Sequence, residues 1–243
     1  LSRLGARQFF PGAAWEVVPA MPEPAIALDR LEKPAFLERR GGGGGLYREQ
    51  AAAWAQWRRR NRYDSGVNII TGHAYGRLIS RNREVFDAHP EYLALVNGER
   101  RGSKLCISNP GLRRVAMDYA LDFFRETPDA DSLSMEPSDG GGWCECENCA
   151  TIGSNTDQMI TLANAVAEAV NALGLGPKWI GVLAYHLHTA PPSIDIHPQV
   201  VARVVTHSLR FGYRPMEVIE GWRARGATMA INEVYNWALS ALP

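Results

Sequence analysis

The sequence predicts an α/β fold: a (β/α)8 TIM-type barrel lacking its last strand, preceded by the end of an N-terminal α/β domain. Three observations predict it. Short apolar or β-branched runs recur along the chain. Amphipathic helix signals separate several of them, which is the mark of a parallel sheet with covering helices. Seven such runs fall between Lys33 and Pro243, the pace of a barrel that takes about 250 residues in full. No GxGxxG or Walker-type loop favours the doubly wound nucleotide-binding alternative. The eighth strand is expected beyond Pro243. The abrupt opening Leu1-Ser2-Arg3-Leu4-Gly5 reads as a piece of a longer protein.

Taken in order, residues 1–32 carry Pro11-Gly12, Pro19, Pro22 and Pro24. That spacing leaves no room for a long helix or a central strand. The stretch reads as the end of one domain and a linker, with the partial barrel over 33–243. The strand candidates are 34–40, 67–73, 104–108, 132–136, 179–186, 200–209 and 227–233. Residues 41–45, all glycine, read as a flexible loop after the first strand. Trp54 and Trp57 sit at helical spacing ahead of Arg58, Arg59 and Arg60, cations at a helix C-terminus. Residues 94–100 hold an Asn97-Gly98 turn and read as a small hairpin inserted between strands two and three.

The helix signals are specific. Asn109-Pro110 is an N-cap with proline at the first helical position, followed by Leu112, Val115, Tyr119 and Phe123 at helical spacing. Ser154 to Asp157 resembles a capping box with Asp for Glu. Behind it Met159, Leu162, Val166, Val170 and Leu173 form one stripe, ended by Gly174 and Gly176. Pro215 opens a short helix with Val218, Ile219 and Trp222, closed by Gly226.

Composition narrows the partners. Lys+Arg and Asp+Glu both number 26, a formal net charge of zero. That balance argues against bulk attraction to nucleic acid or an anionic membrane. No run of eighteen apolar residues exists, so no transmembrane helix is expected. No signal-peptide pattern opens the chain, and oligomeric state is not legible.

In a barrel the active site gathers at the C-terminal ends of the strands. The polar residues there are His73 and Tyr75, Asn109, Glu136 and Asp139, His186 and His188, His207 and Arg210, and Glu233 with Tyr235, Asn236 and Trp237. Glycosidic cleavage uses two carboxyl groups, one to protonate the leaving oxygen. Glu136 or Asp139 with Glu233 could supply them; the plain alternative is solvated loop acids. Trp143, Tyr235 and Trp237 could stack on sugar faces, or simply fill core. Three glycines follow Asp139 and let the backbone approach a ligand closely. Glu136 continues its strand into Pro137. Asp139 is therefore the favoured acid.

The cysteines are the sharpest motif. Cys144, Cys146 and Cys149 share one loop, and Cys106 lies on the preceding strand candidate. Four converging thiolates suit a closed structural zinc site with no open position for catalysis. Disulfides and free buried thiols are the alternatives. Around zinc the sulfurs should stand roughly 3.5–4 Å apart.

The phrases HPEYLALVNGER (89–100), LCISNP (105–110) and DGGGWCECENC (139–149), with LGARQFFPG and EVVP within 4–19, resemble the bacterial family known as domain of unknown function 4838. The resemblance covers nearly the whole chain. It implies an N-terminal α/β domain joined to a barrel, a layout similar to α-glucuronidases and hexosaminidases, a carbohydrate substrate, and a secreted or periplasmic location. It points to Asp139 as the acid of the motif. A more distant similarity is to family 42 β-galactosidases, which place an upstream cysteine and a Cys-x-Cys-x2-Cys loop around structural zinc. Cys106, Cys144, Cys146 and Cys149 match that spacing. Glu136 lies near those enzymes' acid, but Met135 stands where they have Asn.

The expected function is hydrolysis of a glycosidic bond in a poly- or oligosaccharide. Asp139 or Glu136 is the acid/base and Glu233 its partner. Sugar is bound by His73, Tyr75, Asn109, Trp143, His186, His188, His207, Arg210, Tyr235 and Trp237. The alternatives are a non-catalytic carbohydrate-binding barrel and a zinc-stapled interaction module.

Overall fold

In a computed structural model of the chain, residues 6–9, 13–20, 51–61 and 67–232 are described. The chain divides into two compact units, Leu1–Asn68 with Val234–Pro243, and Ile69–Glu233. The boundary expected at 32/33 and the strand candidate 34–40 lie outside the described residues.

In the first unit, β1 (Arg7–Gln8) pairs antiparallel with β2 (Glu16–Val17), a pairing short enough to fit among the prolines. Helix α1 (Ala51–Arg60) carries Trp54 and Trp57, stacked with centroids 4.9 Å apart. Trp57 Nε1 donates to the Gln8 carbonyl at 3.0 Å. Arg60 reaches Gln8 Oε1 and, at 2.5 Å, Glu16. The basic last turn is thus partly spent on holding the hairpin.

The second unit is built on a parallel sheet ordered β5 (Ser132–Ser134), β6 (Trp179–Ala184), β7 (Val200–Val205), β8 (Thr228–Asn232). The register runs Leu133 beside Ile180, Val182 beside Ala202, and Ala202 beside Met229. β6 is buried at four of its six positions and β7 at five of six, as expected of strands covered on both faces. Residues 69–73 run alongside β5. His73 and Glu136 form a parallel bridge, and Ala74 N–H donates to the Glu136 carbonyl at 2.8 Å. One contact there requires glycine: a Cβ at Gly181 would stand 2.0 Å from the Ile70 carbonyl oxygen.

Helices join most of the strands, though β6 runs to β7 through only a 3-10 turn and a loop. α2 (Tyr75–Arg81) and α3 (Arg83–Ala88) come first, then α4 (Pro110–Glu126), α5 (Glu147–Ile152), α6 (Asn155–Asn171) and α7 (Pro215–Ala224). The Asn109 side chain caps α4 by accepting from Gly111 and Leu112 N–H. The capping box of α6 is complete: Ser154 Oγ accepts from Asp157 N–H, and Asp157 Oδ2 accepts from Ser154 N–H. Met159, Leu162, Val166 and Val170 bury their stripe fully, as do Val218 and Trp222 of α7. Trp222 Nε1 donates to the Thr189 carbonyl. No described helix is long and apolar enough to cross a membrane.

One expected strand is corrected. Residues 104–108 are not a third parallel strand. β3 (Leu93–Val96) and β4 (Glu99–Leu105) form an antiparallel hairpin, turning at Asn97 (φ 50°) and Gly98 (φ 79°). The second arm extends well beyond the expected 94–100 and takes up Lys104 and Leu105. Cys106, Ile107 and Ser108 then lead straight into the capped helix α4. Residues 69–73 consequently neighbour β5 with no strand between. The runs 179–186 and 200–209 also end early, in 3-10 turns His186–His188 and Thr206–Ser208.

Candidate active site and cysteine centre

The strands are parallel, so their carboxyl ends share one side of the sheet. At that side, β5 leads through Met135 to Glu136, whose residue is 0% exposed. Both of its carboxylate oxygens are engaged. Oε1 meets His188 Nε2 at 2.7 Å, and Oε2 accepts from Leu183 N–H at 2.7 Å. Burial raises the Glu136 pKa above the ordinary carboxylate value, opposed by the bond to His188. His188 is itself 4% exposed. Its Nδ1, together with Tyr75 Oη and Trp143 Nε1, is buried without a hydrogen-bond partner among the described residues. Burial, then the nearby Glu136 charge, raises the Tyr75 pKa.

Asp139 is the opposite case. Its side chain is 63% exposed, with Oδ2 3.1 Å from His73 Nε2. His73 Nδ1 lies 2.7 Å from the Pro137 carbonyl. A carbonyl only accepts, so Nδ1 carries a proton. Nε2 then turns a lone pair toward Asp139 unless a further proton sits between them. The pair closes as a hydrogen bond only with one proton more than neutral imidazole and ionised carboxylate hold. Tyr185 lies near enough to feel Asp139, and its pKa is raised by burial first and then by Asp139.

Lys104, 3% exposed, reaches under this loop from the hairpin. Its Nζ donates to the Ser138 carbonyl and, at 3.4 Å, to that of Asp139. It stands 5.1 Å from the Trp143 ring centroid. The Trp143 ring meets His188 edge-on at 5.6 Å. Burial lowers the Lys104 pKa against the charges of Glu136 and Asp139.

The structure therefore brings together Glu136, Asp139, His73, His188, Trp143 and Tyr75 of the residues read from sequence, and adds Lys104 and Tyr185. Tyr75 is buried in the first turn of α2 and presents no surface to a ligand. Asn109 is spent on capping α4. His186 is half-buried beside Tyr185, ring centroids 5.8 Å apart. His207 and Arg210 are exposed in the loop after β7. Glu233, Tyr235 and Trp237 lie outside the described residues. Tyr185 had a signal, an aromatic hydroxyl at the end of an apolar run. Lys104 had none, because only the hairpin's course aims it at the loop.

The cysteines converge. The sulfurs of Cys106, Cys144, Cys146 and Cys149 all lie within 4.8 Å of one another. Cys106 Sγ is 3.7 Å from Cys146 Sγ and 3.9 Å from Cys149 Sγ, the spacing of ligands around one tetrahedral ion. None forms a disulfide. Backbone N–H groups of Leu95, Ser108 and Cys149 donate to Cys144, Cys149 and Cys146 at 3.3–3.4 Å, and Arg100 Nη1 lies 3.7 Å from Cys144. Donors of this kind stabilise thiolates. The Cys106 pKa is held low by its bond with Cys149, while the same bond raises that of Cys149. This donor set could hold a metal ion.

No curated protein matches the chain. A family model described as a domain of unknown function, DUF4838, matches residues 10–238.

Proposed function

The chain belongs to the DUF4838 family, and we propose that it is a glycoside hydrolase of (β/α)8-barrel type acting on a poly- or oligosaccharide. The carrying observation is Asp139: an exposed carboxyl at the carboxyl side of a parallel sheet, in a bond with His73 that needs a proton. A general acid must hold a proton and present it. Asp139 is placed to present one that the His73 pair carries, and Glu136 does not reach solvent.

On this reading Asp139 gives its proton to the glycosidic oxygen as the bond from that oxygen to the sugar carbon breaks. Positive charge develops on the sugar ring and is quenched as water gives its oxygen to that carbon and its proton to a carboxylate. His73, fixed through Nδ1 on the Pro137 carbonyl, orients Asp139. Glu136 and His188 form the buried support beneath the loop. Trp143 and Tyr185 border it, and Glu233 is the proposed partner carboxylate. Cys106, Cys144, Cys146 and Cys149 would hold zinc as four thiolates. Such an ion supplies structural cross-linking and no catalytic position.

The test is hydrolysis of a panel of 4-nitrophenyl glycosides and natural polysaccharides by the full chain and its variants. Asp139→Asn lowers kcat by about 10²-fold or more with affinity largely kept. Full activity in that variant, with activity lost in Glu136→Gln, returns the acid role to Glu136. Binding of oligosaccharide by the native chain without any turnover favours instead a non-catalytic carbohydrate-binding barrel.

A further inference from the structure

Phe211 stands where neither its backbone nor its surroundings favour phenylalanine. The loop after β7 turns at Arg210-Phe211-Gly212-Tyr213, with Tyr213 N–H donating to the Arg210 carbonyl at 3.4 Å. φ is 61° at Phe211 and 77° at Gly212. Two successive left-handed residues suit Asn or Asp followed by Gly. A bulky side chain at positive φ is an outlier. Packing does not compensate, because Phe211 is 66% exposed. The other described non-glycine residues at positive φ are Asn97 and His186. The hairpin turn accounts for Asn97. His186 and Phe211 follow adjacent parallel strands, β6 and β7, on the side that carries Asp139.

The turn is tied to the candidate site. Arg210 N–H donates to Thr189 Oγ1 at 3.3 Å. Thr189 is 0% exposed and directly follows His188, the partner of Glu136. Arg210 also lies close enough for its charge to act on Tyr185, on which Asp139 acts as well.

We propose that Phe211 is a binding platform, an exposed ring that stacks on the apolar C–H face of a pyranose unit next to the one held at Asp139. Arg210 beside it offers donors to the hydroxyls of the same unit. Strained residues at positive φ persist where function requires the side chain, and a flat apolar ring complements a sugar face. The assignment rests on the reading of the site as a carbohydrate site.

Two variants of the full chain test it, Phe211→Gly and Phe211→Trp. Glycine relieves the left-handed strain and raises Tm by about 2–4 °C. An array of immobilised oligosaccharides identifies the strongest ligand of the native chain, which is then titrated in solution. Phe211→Gly weakens its Kd by about tenfold, and Phe211→Trp keeps it within about threefold. A lower Tm for Phe211→Gly makes the ring a packing residue and overturns the proposal. Unchanged binding by Phe211→Gly, where the native chain binds, overturns the platform alone. A native chain that binds nothing on the array overturns the carbohydrate reading and the platform together.

Discussion

Leucine in place of Glu136 removes the acceptor of two hydrogen bonds at once. Leu183 N–H loses Oε2 and His188 Nε2 loses Oε1, both 2.7 Å bonds. Each stranded group costs about 1–3 kcal/mol, so Glu136→Leu loses about 2–6 kcal/mol. Glutamine is different. Its carbonyl keeps Leu183 N–H, and its amide turns to His188 Nε2. That nitrogen must then accept, which moves the ring proton to Nδ1, an atom already buried without a partner. One stranded donor remains, at about 1–3 kcal/mol. Urea unfolding of the full chain at neutral pH, compared at constant m, should show Glu136→Leu losing about twice what Glu136→Gln loses. The sign with pH follows from burial. The folded carboxyl holds its proton above the ordinary value of about 4.3. Its favourable contribution is full below that pH and is lost as pH rises through the folded value. The stability difference between the native chain and Glu136→Leu therefore narrows from about pH 4.3 upward. Equal losses in the two variants, or a leucine variant within about 0.5 kcal/mol of native, would refute the reasoning.

Lys104→Met removes the donors under the Ser138 and Asp139 carbonyls while filling much of the same volume. Amide hydrogen exchange over 138–143 should rise about tenfold or more with β6 and β7 unchanged; unchanged exchange in the loop would show that Lys104 does not hold it. Cys146→Ser removes one sulfur of the four, and native mass spectrometry should find the bound metal lost or sharply reduced. A native chain whose mass shows cysteines paired as disulfides, with no metal, would contradict that expectation. Gly181→Ala places a methyl against the Ile70 carbonyl. It should destabilise the chain by at least about 1–3 kcal/mol in urea unfolding, and a neutral effect would show that 69–73 can move off the sheet.

Local chemistry was the legible part. Asn109-Pro110, the Ser154–Asp157 box and Asn97-Gly98 each specify their own geometry through side-chain oxygens or positive φ, and each is found where the residues put it. The strands β5 to β8 begin within a residue of their apolar runs, though each ends before its run does. The run at 104–108 misled because Leu105, Cys106 and Ile107 are apolar for different reasons. Leu105 pairs with Leu93 in the hairpin, Cys106 faces the other cysteines, and Ile107 enters the core. A short apolar run carries no mark of which neighbour buries it. The carboxylates show the same limit. Glu136 and Asp139 are three residues apart, yet one is sealed and the other open. Their difference comes from His188 and Leu183, some fifty positions away. Lys104 was hidden likewise, since its target carbonyls lie 34 and 35 positions along the chain.

Cys106 and Cys149 stand 43 positions apart, with all of α4 and β5 between them. A cross-link spanning a loop of that length removes on the order of 4 kcal/mol of chain entropy from the unfolded ensemble. The other three sulfurs lie within six consecutive residues and close at a smaller cost, on the order of 2 kcal/mol. During synthesis Cys106 emerges first and waits. Its partners arrive some forty residues later. The four sulfurs thus divide into a local three-sulfur loop and one contact of long sequence range. Occupancy by four ligands rather than three would distinguish a finished domain from one still assembling.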